Sequence, residues 1–212
     1  MKSPLLKKLL MVLPYVAILY VLARGIYWYA GEPRKAESQQ PAETSASRPE
    51  SGLSKAMATG PMAAFLVHTA PKDITAFIFT DKDNKQRSLS DWKGKVVLLN
   101  LWATWCAPCR KEMPDVAKLQ KELGGAEFEV VALSIDRKGL AASQAFLKET
   151  GADNLAAFVD PEGNSLKALQ ALGLPATVLI DRNGKERGRL LGPADWSSPE
   201  SKAIVKLLLQ EN

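Results

Sequence analysis

Lys95-Val96-Val97-Leu98-Leu99-Asn100-Leu101-Trp102-Ala103-Thr104-Trp105-Cys106-Ala107-Pro108-Cys109-Arg110 is the stretch on which the reading of this chain turns. Its first half, Lys95 to Trp102, is a continuous apolar run rich in Val and Leu, the pattern of a strand buried on both faces. Its second half sets two cysteines, two residues apart, where that strand gives way to a predicted helix from Cys106 to about Leu123, stopped by Gly124-Gly125. Cys106 then stands at the helix N-terminus, where unpaired N–H groups and the helix dipole favour a thiolate. The thiolate is the attacking species in thiol–disulfide exchange, and Cys109, one turn on, is placed to attack the mixed disulfide and release the partner. Ala107-Pro108 puts no charge between the sulfurs, and proline is acceptable in a first helical turn. A purely structural disulfide fits poorly here, because closing so small a loop removes little entropy from the unfolded chain. The two cysteines and one histidine of the whole chain are too few for a Cys/His zinc site. Arg110 stands where haem attachment needs a histidine.

Outward from this stretch the chain alternates strands and helices. Glu129–Ile135 reads as a second buried strand, Leu140–Glu149 as a helix and Ala156–Val159 as a short strand. Asn164–Leu172 reads as a helix stopped by Gly173. Thr177–Ile180 and Glu186–Leu191 flank Asp181-Arg182-Asn183-Gly184, a hairpin signal because Asn-Gly suits a turn with positive φ. Pro199–Gln210 closes the chain with an amphipathic helix. Upstream, Ile74–Thr80 reads as a strand that turns at Asp83-Asn84 toward Arg87–Leu89, and Ser90–Gly94 as a short helical turn. This alternation predicts an α/β fold, a mixed central sheet covered by helices on both faces.

The N-terminal part has a different character. From Leu9 to Tyr29 the chain is almost wholly apolar, with Arg24 its only charge. As a helix at about 1.5 Å per residue, that stretch spans roughly 31 Å, the thickness of a bilayer core. Lys2, Lys7 and Lys8 precede it, which the positive-inside rule keeps cytoplasmic, and Tyr27, Trp28 and Tyr29 follow as an interfacial belt. Residues 1–8 are therefore expected in the cytoplasm, 9–29 as a transmembrane anchor in a bacterial inner membrane, 30–61 as a flexible linker and 62–212 as a periplasmic domain. The competing expectation is a cleaved signal peptide, with Val21-Leu22-Ala23 as its cleavage site. Gly31 to Pro61 holds only Leu53 among Val, Ile, Leu, Phe, Tyr and Trp, too little apolar surface to offset chain entropy. Its end, from Ser51 through His68, is a candidate helix packed on the domain, interrupted at Gly60-Pro61.

The net charge of +5 carries no nucleic-acid footprint. Residues 1–61 hold eight Lys/Arg against four Asp/Glu, whereas residues 62–212 hold twenty against nineteen. The basic excess sits before the domain, so no nucleic-acid partner is expected.

Three motifs make the stretch from about Pro71 to Asn212 resemble the thioredoxin superfamily, specifically its membrane-anchored TlpA/ResA-like reductases: Gly94 through Cys109, Arg110-Lys111-Glu112-Met113-Pro114, and Gly173-Leu174-Pro175-Ala176-Thr177. The resemblance implies a thioredoxin fold with Cys106 as nucleophile, Cys109 as resolving thiol, and Pro175 as a cis proline beside them. It leaves backbone near Pro175 free to pair with an extended substrate. In this family a glutamate at the place of Glu112 serves as acid/base. Glu112 shares a helical face with Cys109, three residues away. Asn100 holds the position where cytoplasmic thioredoxins bury an Asp, and asparagine cannot exchange protons. The bland alternative for Glu112 is a solvated charge between Lys111 and Asp115.

Trp105 is expected to be partly exposed as a substrate contact and Trp102 to be packed. Pro114 is expected to kink its helix. His68 is expected on the surface or at a cap, and Arg110 and Lys111 as solvated charges, with lowering of the thiolate pKa as their alternative role. No cofactor is expected.

The family likeness further implies protein disulfide substrates among cytochrome c or copper-oxidase assembly proteins, reduced with electrons from a membrane reductase. The alternative is a Cu(I)-binding metallochaperone on the same fold, with the thiols as soft ligands. That class has Cys-x-x-x-Cys and a late histidine, unlike this chain. If the anchor is retained, peptide sequencing of the native protein finds no mature N-terminus at Arg24, and residues 31–212 are reached by protease only from outside the cytoplasm.

Overall fold

In the computed structural model, the residues described are 52–211, together with Tyr20, Leu22, Arg24 and Gly25. Those four are helical and belong to a unit that spans Met1–Arg48; the second unit spans Pro49–Asn212. The rest of the expected anchor Leu9–Tyr29, and the expected linker up to Ser51, lie outside the described residues. Among the described residues no helix is long and apolar enough to cross a membrane.

The second unit is built on one eight-stranded sheet. In chain order the strands are β1 (Leu66–Lys72), β2 (Phe79–Thr80), β3 (Gln86–Arg87), β4 (Val96–Trp102), β5 (Phe128–Ser134), β6 (Ala157–Val159), β7 (Ala176–Ile180) and β8 (Glu186–Leu191). The helices are α1 (Ala107–Leu123), α2 (Gly139–Glu149), α3 (Asn164–Ala168) and α4 (Pro199–Gln210). The strand order is β1-β8-β7-β4-β5-β6-β2-β3. β4, β5 and β6 run parallel, while β7 pairs antiparallel with both β4 and β8. This is the mixed sheet expected.

Strand β4 is the centre, with none of its seven residues more than 2% exposed. Alternation divides them between two cores. Val96, Leu98 and Trp102 pack with Met113, Val116 and Leu119 of α1, Phe146 of α2 and Val205 of α4. Val97, Leu99 and Leu101 pack on the other face with Phe79, Trp92, Phe158 and Leu169. Asn100 shares the parity of Leu98 and Trp102, so it points toward α1.

Several expectations need correction. The segment from Ser51 to His68 is packed on the domain, but as two short 3-10 turns (Lys55–Met57 and Gly60–Met62) leading into strand β1, not as a helix. Leu53 and Met62 are buried in the core, so the last ten residues of the expected linker belong to the compact unit. β1 escapes a pattern search because it is an edge strand with only His68 buried, and it carries Pro71, which only an edge tolerates. Conversely, of the expected strand Ile74–Thr80 only Phe79–Thr80 pairs, although Phe77 is also buried.

His68 is neither on the surface nor a cap. It is 8% exposed, and its Nε2 lies 2.6 Å from Oε1 of buried Glu186, which Arg189 also binds. This pairing ties β1 to β8. Gly188 on β8 makes the approach possible, since a Cβ there would fall 2.7 Å from both the Leu66 carbonyl oxygen and the Phe65 ring.

Helix α3 is shorter than its pattern and ends at Ala168, because Gln170 turns into the left-handed region (φ 51°). The Ala171 N–H then bonds the Leu166 carbonyl at 2.9 Å and the Gln170 N–H bonds that of Lys167 at 3.1 Å. These are the two hydrogen bonds of a Schellman ending, made without the usual glycine. Residues 171–174 are thereby freed from the helix to form a loop.

Pro114 lies inside α1, which runs on through it to Leu123. Its missing N–H leaves the Arg110 carbonyl without that helical bond.

Because Phe128 is fully buried at the start of β5, Phe128→Ala is expected to lower the unfolding free energy by about 3–5 kcal/mol. The readout is a lower urea midpoint with an unchanged denaturant slope.

Candidate active site

Helix α1 begins one residue after the end of a tightly held loop. Asp136, just beyond β5, accepts hydrogen bonds from the Thr104 N–H at 3.1 Å and from the Thr104 hydroxyl. It also accepts the Lys138 N–H at 2.9 Å. Burial would raise the Asp136 pKa, but these bonds from Thr104 and Lys138 outweigh it and hold the carboxyl below its ordinary value. An ionised, buried carboxylate thus fixes the backbone immediately before Trp105-Cys106.

Cys106 is the N-cap of α1, and its sulfur accepts the Cys109 N–H at 3.2 Å. Cys106 and Cys109 are joined as a disulfide. The cap position gives the Cys106 sulfur a backbone donor and the positive end of the helix, both of which stabilise a thiolate once the bond is reduced. The two sulfurs differ in access. Cys109 is fully buried, whereas Cys106 is 4% exposed and lines a cavity of about 470 Å³.

That cavity brings together residues from distant parts of the chain. Trp105, Cys106 and Pro108 form one side, and Ala171, Leu172, Gly173 and Leu174 the other. The Leu174–Pro175 peptide is cis, as the family likeness implied. Pro175 is buried, and its carbonyl accepts the Gly192 N–H at 2.9 Å. Leu174, at the cavity, has no backbone hydrogen-bond partner among the described residues. Trp105 is 66% exposed and Leu172 95% exposed, so two large apolar side chains flank the cavity mouth. Trp102 is fully buried and stacks on Phe146 at 4.7 Å.

Glu112 is not a solvated charge. It is 2% exposed and sits behind the cysteines, one turn along α1 from Cys109. Its Oε1 accepts from Asn100 Nδ2 at 2.9 Å and its Oε2 from the Ala194 N–H at 3.2 Å. Burial raises its pKa to about 7, against the lowering effect of Asn100, the Ala194 N–H and the nearby Trp196 indole; Asp115 adds to the rise. The Trp196 N–H faces the carboxyl without hydrogen-bond geometry and has no other protein partner. Glu112 lines a separate cleft of about 310 Å³ with Pro61, Lys111, Asp115 and Ala194, and not the Cys106 cavity.

Asn100 also donates to Thr177 Oγ1 at 2.9 Å, its cross-strand partner on β7. Asp136, Thr177 and Trp196 were not predicted from sequence. Only Asp136 left a trace there, as an acid just past a buried strand. Arg110 proves to be more than a solvated charge: its guanidinium stacks 4.5 Å from the Phe146 ring centre and pairs with Glu149 at 2.8 Å. Chemically, the arrangement offers one accessible sulfur, one sheltered sulfur and a proton-exchanging group that changes state near neutral pH.

Comparison with known proteins agrees with this geometry. The family model described as Redoxin matches residues 69–207. The thiol-disulfide oxidoreductase ResA of Bacillus subtilis (strain 168) is 37% identical over 113 residues, which is 53% of this chain and 62% of that protein. ResA of Bacillus thuringiensis subsp. konkukian (strain 97-27) is 37% identical over 114 residues, 54% of this chain and 65% of that one. The match thus spans less than two thirds of each of these relatives. Among solved structures, a putative thiol:disulfide interchange protein DsbE from Chlorobium tepidum is 30% identical with a TM-score of 0.55, covering 66% of this chain and 94% of the other.

Since the folded chain keeps the Glu112 proton up to about pH 7 and the unfolded chain releases it near 4.5, this group's contribution to stability is fully present below 4.5 and lost as pH rises through 7. The loss is on the order of 3 kcal/mol. Relative to wild type, oxidised Glu112→Gln should therefore gain about that much between these limits, measured as paired urea midpoints against pH.

Proposed function

The chain belongs to the redoxin family, and from that premise we propose that it is a thiol–disulfide oxidoreductase that reduces disulfides of partner proteins. The observation that carries this reading is the unequal access of the two sulfurs, with Cys106 at a cavity flanked by apolar side chains and Cys109 sealed behind it.

In the reduced protein the Cys106 thiolate attacks one sulfur of the partner disulfide, and the other partner sulfur leaves as a thiolate. Cys109 then loses its proton and attacks Cys106 Sγ. The Cys106–Cys109 bond forms, the mixed disulfide breaks, and the partner departs with both of its thiols. Two electrons pass from the pair to the partner. Glu112, which changes protonation near neutral pH, is the group one turn away that can take and return the Cys109 proton. Trp105 and the Leu174 backbone position the partner: the ring covers an apolar neighbour of its cysteine, and the unpaired N–H and C=O accept an extended strand.

The cellular setting is part of the same proposal. The apolar stretch Leu9–Tyr29 with its preceding lysines supports an inner-membrane anchor with the domain in the periplasm. A reductant in an oxidising compartment needs a supply of electrons, hence a membrane reductase as donor. Assembly of cytochrome c or copper oxidase, whose cysteines must be reduced before haem or copper enters, is the client class that this reading favours. The copper-carrier alternative calls for a histidine beside the cysteines. His68 instead lies on β1, three places from β4 in the sheet, and binds Glu186 of β8.

Ala107-Pro108 supplies no charged partner for the thiolate, so its stabilisation comes chiefly from the helix terminus. Less thiolate stabilisation means a more negative potential, expected nearer thioredoxin's roughly −270 mV than the approximately −120 mV of a strong oxidase. Equilibration with glutathione measures it, and a midpoint above that of the glutathione couple would overturn the reductant assignment. In parallel, Cys109→Ser should trap the client as a mixed disulfide on Cys106.

A further inference from the structure

Beyond Trp105 the Cys106 cavity does not end. A second cavity, of about 530 Å³, shares Trp105, Ile135 and Leu166 with the first, so the two adjoin as halves of one groove. The two halves differ in chemistry. Around Cys106 the walls are apolar, with Leu172 and Trp105 standing out into solvent. The far half is edged by Arg137, Lys138 and Lys167, all exposed. None of the three joins an ion pair among the described residues.

Two carboxylates belong to this half. Asp136 is buried, turned inward and engaged by Thr104 and the Lys138 N–H, so only Glu162 faces a ligand. Three exposed cations to one exposed anion is a local bias, because residues 62–212 together are almost neutral, twenty basic to nineteen acidic. An extended chain crossing the cavity at Cys106 and continuing past Trp105 brings its next side chains to these cations. Unpaired cations at a rim raise the encounter rate of an acidic ligand and disfavour a basic one.

We propose that this groove selects protein substrates whose reactive cysteine is flanked on one side by an apolar residue, held at Trp105 and Leu172, and a few positions further along by acidic residues, held at Arg137, Lys138 and Lys167. The proposal rests on the redox reading of Cys106 and names the substrate class of that same site. The exchange step is unchanged: the partner disulfide is reduced and the Cys106–Cys109 pair is oxidised.

The test uses the reduced full chain and three disulfides. Hydroxyethyl disulfide is neutral and too small to fill the groove, so its rate serves as the reference for each protein. Two disulfide-linked peptides share an apolar residue beside the cysteine, and carry either aspartates or lysines a few positions away on both sides. The aspartate peptide is expected to exchange on the order of ten-fold faster than the lysine peptide at low ionic strength, a preference that shrinks as salt is added. In Lys138→Glu/Lys167→Glu the ratio of the two peptide rates is expected to invert. Equal rates for the two peptides, or the same ratio in wild type and variant, would overturn the proposal while leaving the redox reading intact. Absence of exchange with hydroxyethyl disulfide would defeat the redox reading and the substrate preference with it.

Discussion

Everything in this molecule is arranged around a strand with no exposed face. β4 is covered by one core on the α1 side and another on the side of Phe79 and Trp92, and it is paired on both edges by β5 and β7. Burying an apolar side chain fully stabilises by about 1.5–3 kcal/mol. The six apolar residues of β4 therefore form a large share of a domain's margin. A strand enclosed on four sides leaves only its ends for chemistry. Its C-terminal end opens into Ala103-Thr104-Trp105-Cys106, and the redox pair stands there because nowhere else along β4 reaches solvent.

The one polar residue in β4 shows what such burial demands. Asn100 donates both amide hydrogens, to the Glu112 carboxyl and the Thr177 hydroxyl, while its buried Oδ1 has no hydrogen-bond partner among the described residues. It thereby links the helix that carries the cysteines to the strand that follows the Pro175 loop. The same interior that isolates Glu112 from water raises its pKa to about 7, so its carboxyl changes protonation state near neutral pH. Asp136, less deeply enclosed and beside an open cavity, shows the opposite result. With donors from Thr104 and Lys138 it stays ionised, and it acts as a fixed clamp on the loop. Both carboxylates accept hydrogen bonds; at Glu112 desolvation outweighs them, and at Asp136 they outweigh desolvation.

Around this centre the chain adds parts that set access. The Schellman ending of α3 at Gln170 releases residues 171–174 to face Cys106. The Trp102–Phe146–Arg110–Glu149 ladder joins β4, α1 and α2, and keeps Arg110 occupied away from the groove rim. At the other edge of the sheet, β1 is held through the buried His68–Glu186–Arg189 cluster, which seats the segment between Leu53 and Met62 against the core.

Much of this was legible in the residues before any coordinates. The run Lys95–Trp102, the Cys106-x-x-Cys109 spacing at a strand-to-helix junction, the Asn183-Gly184 hairpin and the final amphipathic helix each carry a local signal: periodicity, capping or turn chemistry. Those signals determined the mixed α/β sheet and singled out Cys106 and Cys109, which the fold joins as a disulfide. The family likeness added Glu112 and Pro175. Strand β1 and the burial of His68 were hidden because each depends on β8, far along the chain; the true end of α3 was hidden because Gln170, not a glycine, takes the left-handed turn. The pKa of Glu112, the clamp at Asp136 and the charge at the far end of the groove belong to the same class. Pairing, desolvation and the convergence of loops are properties of three-dimensional neighbours, and one-dimensional spacing carries no record of them.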